Sequence, residues 1–244
     1  MLQRSLLFSL GGYVIVSPTE ENFDWTSIGA VNEVGNQKNC ASCYAFAASD
    51  AIEAQIFLRT NELFELSNQQ LVDCSKNYGN FGCNYGNTAN TFKYIIDNGI
   101  TIERNYKYKA KELKSCLYDS STKVANISDY RQVRLPTDDF LRDILYSVGP
   151  LTVGIDSSLF SFQHYKFGIY KDENCSENIN HAVLLVGFGV DETHGKYWII
   201  KNSYGKNFGE KGFMRLTREI ENFCGIRNYV VFPVNDISIN YLIT

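Results

Sequence analysis

The sequence predicts an α+β protein whose helices and strands lie in two separate lobes. Helical patterns occupy the first half of the 244 residues, and short apolar runs rich in branched residues occupy the second half. Gly149-Pro150 stands between the two halves as a stop signal. A chain of this length can bury most of its apolar surface, either in one large domain or in two small lobes.

Four helices are predicted, each with a recognisable pattern or boundary signal. In the longest, apolar residues recur at spacings of three and four without Pro or Gly. Ser67, followed by Gln70 three residues later, predicts a capping box at the start of the second helix. The third helix ends at Gly99 and the fourth ends at Gly149. The predicted ranges are 42–61, 67–73, 88–98 and 137–148.

Beyond Pro150 the pattern favours strands, because short runs of apolar and branched residues alternate with polar turns. The predicted strands are 151–155, 181–186, 197–200, 212–216 and 229–232.

Residues 1–22 stand apart from the rest of the chain. Arg4 precedes an apolar stretch, as in a short signal peptide, but the expected small-residue cleavage pattern is not clear. A remnant of a longer precursor fits equally well, so both interpretations stay open. The mixed apolar character of the segment predicts no periodic face that could dock on the rest of the protein.

Charge and hydropathy each argue against one class of function. Lys and Arg number 23 against 27 Asp and Glu, and no basic stretch could neutralise a phosphate backbone, which argues against nucleic-acid binding. No apolar run approaches the roughly 18 residues that a membrane-spanning helix needs.

The seven cysteines allow two interpretations. An odd number in a secreted chain indicates several disulfides and one free thiol, whereas a cytosolic chain would keep all seven reduced. Composition alone leaves both open. Two glycosylation sequons, which begin at Asn126 and Asn174, favour the secretory route.

Cys43 is the candidate for chemistry, because it lies at the predicted start of the longest helix. The positive end of a helix dipole stabilises a thiolate and makes it nucleophilic at neutral pH. Two alternatives remain at this point. Cys43 could be a small buried apolar residue, or it could form a Cys-x-x-Cys redox pair with Cys40. Redox motifs of that kind follow a strand, whereas a polar loop precedes Cys40.

Three blocks of sequence closely resemble the papain-like cysteine proteases and occur in the family's order. Residues 36–46 surround Cys43, and residues 180–183 and 201–205 follow about 140 and 160 residues later, close to the family separation. The resemblance extends from about residue 23 to residue 234.

This resemblance implies a papain-like fold with a helical left lobe, an antiparallel β-barrel-like right lobe and an active site in the cleft between them. Cys43 would be the nucleophile, and His181 would hold it as a thiolate–imidazolium pair. Asn202 would orient the ring of His181. The Gln37 side chain and the backbone N–H of Cys43 would form the oxyanion hole.

The activity implied is that of a cathepsin L-like cysteine endopeptidase, which acts through an acyl-enzyme intermediate. Exopeptidase relatives close the cleft with an added loop, such as one that carries a histidine, but neither His164 nor His194 lies in a comparable insertion. The alternative is a catalytically weakened binding protein with the same fold. It is suggested by departures from the family pattern: Ala41 for glycine, and Tyr44, Tyr204 and Phe208 for tryptophan.

The resemblance also implies substrate-binding residues and disulfide pairs. A pocket for the second substrate residue before the scissile bond would have Tyr229 as its floor and no carboxylate in its walls. Tyr85 stands where the family usually has a glycine that lines the cleft. The substrate-binding set is Tyr85, Gly86, Thr88, Gly154, Ile179, Asn180, Ala182, Tyr204 and Tyr229. The implied disulfides are Cys40–Cys83, Cys74–Cys116 and Cys175–Cys224, which leave Cys43 free.

The expected domain plan has three parts: a leader or prosegment remnant (1–22), a catalytic domain (23–234) and a tail (235–244). Within the catalytic domain, the helical lobe covers about 30–133 and the β-rich lobe about 134–234. The resemblance implies no cofactor and no metal. The expected partners are protein or peptide substrates and cystatin-like inhibitors, and the expected state is a monomer. The expected location is the secretory pathway, in a lysosome, in a digestive vacuole or outside the cell.

Overall fold

The computed structural model describes residues 8–10, 12–234 and 237–239, and its elements confirm the α+β class. The helices are α1 (Cys43–Thr60), α2 (Asn68–Cys74), α3 (Thr88–Asn98), α4 (Asp138–Val148) and α5 (Phe160–Gln163). The strands are β1 (Phe8–Leu10), β2 (Tyr13–Ile15), β3 (Phe23–Asp24), β4 (Ala125–Ile127), β5 (Tyr130–Val133), β6 (Leu151–Ile155), β7 (Ile169–Tyr170), β8 (His181–Asp191), β9 (Gly195–Lys201), β10 (Phe213–Thr217), β11 (Val230–Pro233) and β12 (Ile237–Ile239). None of the helices in these ranges is long and apolar enough to cross a membrane.

All four predicted helices are present, but one detail of the capping box is wrong. The Ser67 hydroxyl accepts a hydrogen bond from the Gln70 backbone N–H at 3.0 Å, as predicted. The Gln70 side chain does not return the contact. It donates to the Tyr94 hydroxyl and to the Gly99 carbonyl, while the Ser67 N–H donates to the Thr101 carbonyl. Gln70 is fully buried, so its amide bonds to the polar groups of the surrounding core instead.

The central sheet has the strand order β5-β11-β6-β8-β9-β10-β7, and β3 pairs with β8 outside this path. Its pairs are antiparallel except β10–β7, which is parallel. Strand β8 runs well past its predicted end at residue 186. The sequence pattern missed this second half because Gly187 and Gly189 are residues that strands usually avoid. Gly187 is needed there, since a Cβ would lie 2.6 Å from the carbonyl oxygen of Phe23 on β3.

Two buried apolar clusters stabilise the fold, and α1, which packs on β8, belongs to one of them. One cluster combines α4 with the sheet, and the other surrounds α1 and α3 but also includes Leu184 and Val186 of β8. Small residues on α1, among them Ala45 and Ala48, are fully buried and allow β8 to pack closely. Strand β5 belongs to the sheet through its pairing with β11, although it lies within the range expected for the helical lobe.

The N-terminal hairpin docks on the protein, contrary to the expectation that residues 1–22 offer no docking face. Tyr13 and Ile15 are buried, whereas Val14 between them is exposed. The Tyr13 hydroxyl donates to Gln55 Oε1 at 3.0 Å and lies 3.2 Å from the Pro233 carbonyl oxygen. The apolar period is two rather than 3.6, so a short strand forms the face where no helical pattern exists.

Candidate active site

Two sheet strands and one helix bring the catalytic candidates together. Cys43 is the first residue of α1, and His181 is the first residue of β8. Asn202 directly follows β9, which is antiparallel to β8 in a register that pairs Leu184 with Lys201. The end of β9 therefore lies beside the start of β8. The helix, which packs on β8, brings its N-terminus to the same place.

The environment of Cys43 favours the thiolate. The side chain is partly exposed at the positive end of the α1 dipole. Burial by itself would raise the pKa of the thiol, but the hydrogen bond and the charge of His181 lower it below the usual value. The backbone N–H groups of Ala182 and Tyr44 act in the same direction.

His181 is held in one orientation by its far ring nitrogen. Nε2 lies 2.8 Å from Asn202 Oδ1, which can only accept, so Nε2 carries the proton and Nδ1 is left for the thiol. Asn202 Oδ1 also accepts from the Ser203 N–H at 2.8 Å, which fixes the amide. Burial acts to lower the pKa of His181, but the interactions with Cys43 and Asn202 raise it above the usual value. Opposite shifts of this kind favour a thiolate–imidazolium pair.

Tyr204 stacks on the ring of His181, with ring centroids 4.9 Å apart and an interplanar angle of 29°. Phe208 packs edge-on against Tyr204 at 5.4 Å. A flat aromatic ring thus covers the pair of His181 and Asn202, which are 7% and 2% exposed. Tyrosine and phenylalanine provide this cover where the resemblance implies tryptophan.

Gln37 lies on the loop before α1 and is tightly held. Its Oε1 accepts from the Ser203 hydroxyl at 2.6 Å, and its Nε2 donates to the Cys40 carbonyl at 2.9 Å. Because an amide nitrogen has two N–H bonds, the second remains available to a ligand. The two hydrogen bonds, one accepted by Oε1 and one donated by Nε2, determine the orientation of the Gln37 amide.

The described residues form three disulfides: Cys40–Cys83, Cys74–Cys116 and Cys175–Cys224. These are the pairs that the resemblance implies, and Cys43 is the free thiol of the described residues. The redox alternative for Cys40 and Cys43 is wrong, because Cys40 is bonded to Cys83. Across the described part of the chain, no cluster of three or more His, Cys, Asp or Glu could hold a metal ion.

A cavity of about 280 Å³ opens beside Cys43 and His181. All residues of the predicted substrate-binding set except Tyr204 line it, and Asn87 lines it as well. Tyr204 is instead the ring that covers His181. Sequence reasoning missed Asn87, although its position between Gly86 and Thr88 was a signal. The described lining contains no carboxylate, lysine or arginine.

The hydroxyl of Tyr229, at the base of this cavity, bonds to residues of the helical lobe. Tyr229 donates to Asn87 Oδ1 at 2.6 Å and accepts from the Ala89 N–H at 2.9 Å. Asn87 is also the N-cap of α3. The Tyr229 ring therefore bridges from the sheet to the start of α3. Gly154 lies beside Tyr229, and a Cβ there would lie 2.9 Å from Ile179 Cδ1 and 3.2 Å from Tyr229 Cβ, so only glycine fits without a shift of these neighbours.

The other departures from the family pattern are accommodated on the helical side. Tyr44 is fully buried, and its hydroxyl donates to the Gly82 carbonyl at 2.9 Å. The Tyr44 ring passes under Gly86, where a Cβ would lie 2.5 Å from ring carbons. Ala41 donates its N–H to the Cys83 carbonyl at 2.9 Å, and its Cβ is tolerated.

The sequence is similar to known proteins over most of its length. Residues 19–234 match the model of the papain family cysteine proteases. Cathepsin S of Bos taurus is 46% identical over 216 residues, which are 87% of this chain and 64% of the relative. The chain thus spans less than two thirds of the length of this curated relative.

Solved structures agree with the sequence comparison. A digestive procathepsin L 3 of the Tenebrio molitor larval midgut superposes with a TM-score of 0.84 at 38% identity, over 89% of this chain and 70% of that one. The bromelain protease of Ananas comosus, in complex with the E64 inhibitor, gives a TM-score of 0.81 at 33% identity. That match covers 88% of this chain and 99% of the bromelain chain. The chain belongs to the papain family of cysteine proteases.

Proposed function

We propose that this chain is a cysteine endopeptidase that hydrolyses peptide bonds through the Cys43–His181 pair. The observation that carries the proposal is a free thiol with a lowered pKa at a helix N-terminus, beside a histidine whose pKa is raised. The 2.8 Å contact of His181 Nε2 with Asn202 leaves the other ring nitrogen to serve the thiol.

The reaction follows from these roles. The Cys43 thiolate attacks the carbonyl carbon of the scissile bond, and the oxyanion receives hydrogen bonds from Gln37 Nε2 and the Cys43 N–H. His181 gives its proton to the leaving amine, which departs and leaves a thioester. Water then attacks the thioester, and His181 takes one proton from that water. Release of the acid regenerates the thiolate–imidazolium pair.

The open cavity supports cleavage within a chain rather than at its end. His164 stacks on Phe160, and His194, on the turn between β8 and β9, bonds to Asp191 at the end of β8. Neither histidine lines the cavity, so neither is placed to bind a substrate terminus. Protein or peptide substrates are therefore the proposed class. The bromelain structure, which has a similar fold, is a complex with the E64 inhibitor. Cystatin-like inhibitors are proposed as further partners of this chain, and its proposed state is a monomer.

The disulfides support a location in the secretory pathway, since such bonds persist in oxidising compartments. A lysosome, a digestive vacuole or the extracellular space would each satisfy this condition.

Labelling with an irreversible peptide epoxide tests the proposal. We expect one label per molecule, located on Cys43 by mass spectrometry, and hydrolysis of a fluorogenic peptide that the label abolishes. Cys43→Ser should fold normally but lose both, because a hydroxyl beside His181 stays protonated. Labelling without hydrolysis would instead favour the catalytically weakened binding protein. Absence of both in the unmodified chain would contradict the proposal.

A further inference from the structure

The N-cap of α1 uses its hydroxyl in an unusual way. Ser42 precedes Cys43, and a serine at this position normally accepts from a backbone N–H of the first helical turn. Here the Ser42 side chain makes no such capping bond. Its Oγ lies 2.6 Å from the hydroxyl of Tyr108, a residue of the loop after α3.

The direction of this contact follows from the next one. The Tyr108 hydroxyl donates to the backbone carbonyl of Gln37 at 2.9 Å. A carbonyl only accepts, so the single proton of Tyr108 is used there and Ser42 donates to Tyr108. The Cys40 carbonyl, the other acceptor near the Ser42 hydroxyl, is farther away at 3.4 Å. The hydroxyls therefore form a directed chain from Ser42 through Tyr108 to Gln37.

These hydrogen bonds from Ser42 through Tyr108 to Gln37 connect the two sides of the oxyanion hole. Gln37 provides the side-chain donor, and Ser42 directly precedes Cys43, which provides the backbone donor. The loop between them contains Lys38 at φ 52°, a left-handed conformation that is unfavourable for a residue with a side chain. Such backbone persists only where surrounding contacts hold it.

Tyr108 is itself held firmly. Its backbone N–H donates to Glu103 Oε1 at 2.7 Å, and its ring packs edge-on against Phe46 of α1 with centroids 5.0 Å apart. Burial raises the pKa of Tyr108, so the hydroxyl remains a protonated donor over the working range of pH.

We propose that Tyr108 is a positioning residue for the oxyanion hole, which keeps the Gln37 amide and the Cys43 N–H at a fixed separation. The inference rests on the proposed function, because it assigns these two donors to the oxyanion of a peptide carbonyl. It predicts a loss that is specific to reactions in which an oxyanion forms.

Two thiol reagents separate this role from a general effect on Cys43. The thiolate adds to the carbonyl carbon of a peptide aldehyde, and the carbonyl oxygen, seated in the oxyanion hole, becomes an oxyanion that takes a proton from His181. The affinity of the aldehyde therefore depends on the oxyanion hole. Iodoacetamide alkylates the thiolate by displacing iodide, with no oxyanion. Tyr108→Phe keeps the ring but removes the hydroxyl. We expect aldehyde affinity and kcat each to fall about tenfold, less than the loss of a whole donor.

KM, the alkylation rate and its pH profile should stay within about twofold of the unmodified protein, because neither the cavity nor the His181 pair is altered. Tyr106→Phe is the matched control. It removes a buried hydroxyl from the same loop, one that bonds to Asp73 at 2.8 Å and not to the site. It should reduce stability and leave the ratio of aldehyde affinity to alkylation rate unchanged. Ser42→Ala, which spares the bond to Gln37, should weaken aldehyde binding less, by about threefold.

Equal losses in aldehyde affinity and alkylation, or no loss in either for Tyr108→Phe, would overturn the positioning role while leaving the protease intact. If Tyr108→Phe does not fold, unchanged aldehyde affinity in Ser42→Ala would overturn it. An unmodified protein that hydrolyses no peptide would overturn the proposed function, and this inference with it.

Discussion

The two walls of the cleft are built in different ways. On the helical side, the loop before α1 is held by side chains and one disulfide, through Gln37, Tyr108 and Cys40–Cys83. On the sheet side, His181 and Asn202 are placed by the backbone ladder of β8 and β9. A ladder tolerates the loss of one side chain, whereas the loop depends on each of a few contacts. We therefore expect substitutions in the loop to change the positions of the remaining catalytic groups, whereas a substitution on the sheet should remove only the contacts of the side chain that is changed.

One buried ion pair joins the two walls, and breaking it should give the largest effect. Lys201 Nζ, directly before Asn202, lies 2.8 Å from Asp50 Oδ1 on α1, and the Lys201 side chain is 1% exposed. Lys201→Met would leave the Asp50 carboxyl buried without its partner, at a cost of about 3–5 kcal/mol in the free energy of unfolding. Urea denaturation measures the loss.

Two controls sharpen this prediction. Lys201→Met combined with Asp50→Leu should recover most of the stability, because no charge then remains unpaired. Lys206→Met breaks the exposed pair with Glu33 and should cost less than about 1 kcal/mol. A double variant no more stable than the single one would show that packing, rather than the charge, is responsible.

The second prediction compares one residue from each wall. Gln37→Ala should lower kcat about 100- to 1000-fold, as expected for one oxyanion donor, with little change in KM. Asn202→Ala removes a residue that orients His181, and the cost should be about 10- to 100-fold. The smaller loss is expected because Tyr204 still stacks on the His181 ring. Steady-state kinetics on one peptide decides the order, and a larger loss in Asn202→Ala would contradict the comparison.

The third prediction concerns pH and a carboxyl behind the loop wall. Glu53 is buried on α1, and burial together with the charge of Asp50 raises its pKa to about 8. In the unfolded chain its pKa returns to its ordinary value near 4.5. Between these values the folded state binds the extra proton, so stability contributed by Glu53 falls as pH rises from about 4.5 to about 8.

Glu53→Gln removes this titration and keeps an oxygen that can accept the Leu66 N–H, now at 2.8 Å. The difference in unfolding free energy between the variant and the unmodified protein removes the contributions of His181 and Cys43, which titrate in both, and reports on Glu53 together with the neighbouring Asp50 carboxyl. We expect the stability of the variant relative to the unmodified protein to increase as pH is raised from 5 to 8. A difference that does not change with pH would contradict the raised pKa.

The sequence predicted those features that depend on residues close together in the chain. The helices were found through periodicity and caps, and the catalytic candidates lie in contiguous blocks around Cys43, His181 and Asn202. It did not predict contacts between distant residues. The Lys201–Asp50 pair spans 151 positions, and Tyr108 meets Gln37 across 71. Such pairs depend on how the lobes pack, which no local pattern records.

Short elements were missed for a different reason. Strands β3 and β7 have two residues each, too few to show alternation, and they form because a neighbouring strand presents free backbone groups. Strand β2 shows a period of two over only Tyr13, Val14 and Ile15. The expectation that this segment offers no periodic face was wrong, because an alternation over three residues is too short to recognise in the sequence.

The last prediction, with the smallest expected effect, concerns selectivity where the walls meet. Tyr229 forms the base of the cavity and Gly154 leaves its side open, while no carboxylate lines the described surface. A substrate Arg or Lys at the second position before the scissile bond would be buried unpaired, so Leu, Val and Phe should be preferred. A peptide library varied at that position and read as kcat/KM tests this. Each methylene-sized difference is worth about 1–3 kcal/mol, so the preference should be graded.

Gly154→Ala should shift the preference from Phe and Leu toward Val, because the new Cβ approaches Ile179. Higher kcat/KM for peptides with Arg or Lys at the second position before the scissile bond than for the Leu peptide would show that Tyr229 is not the base of this pocket.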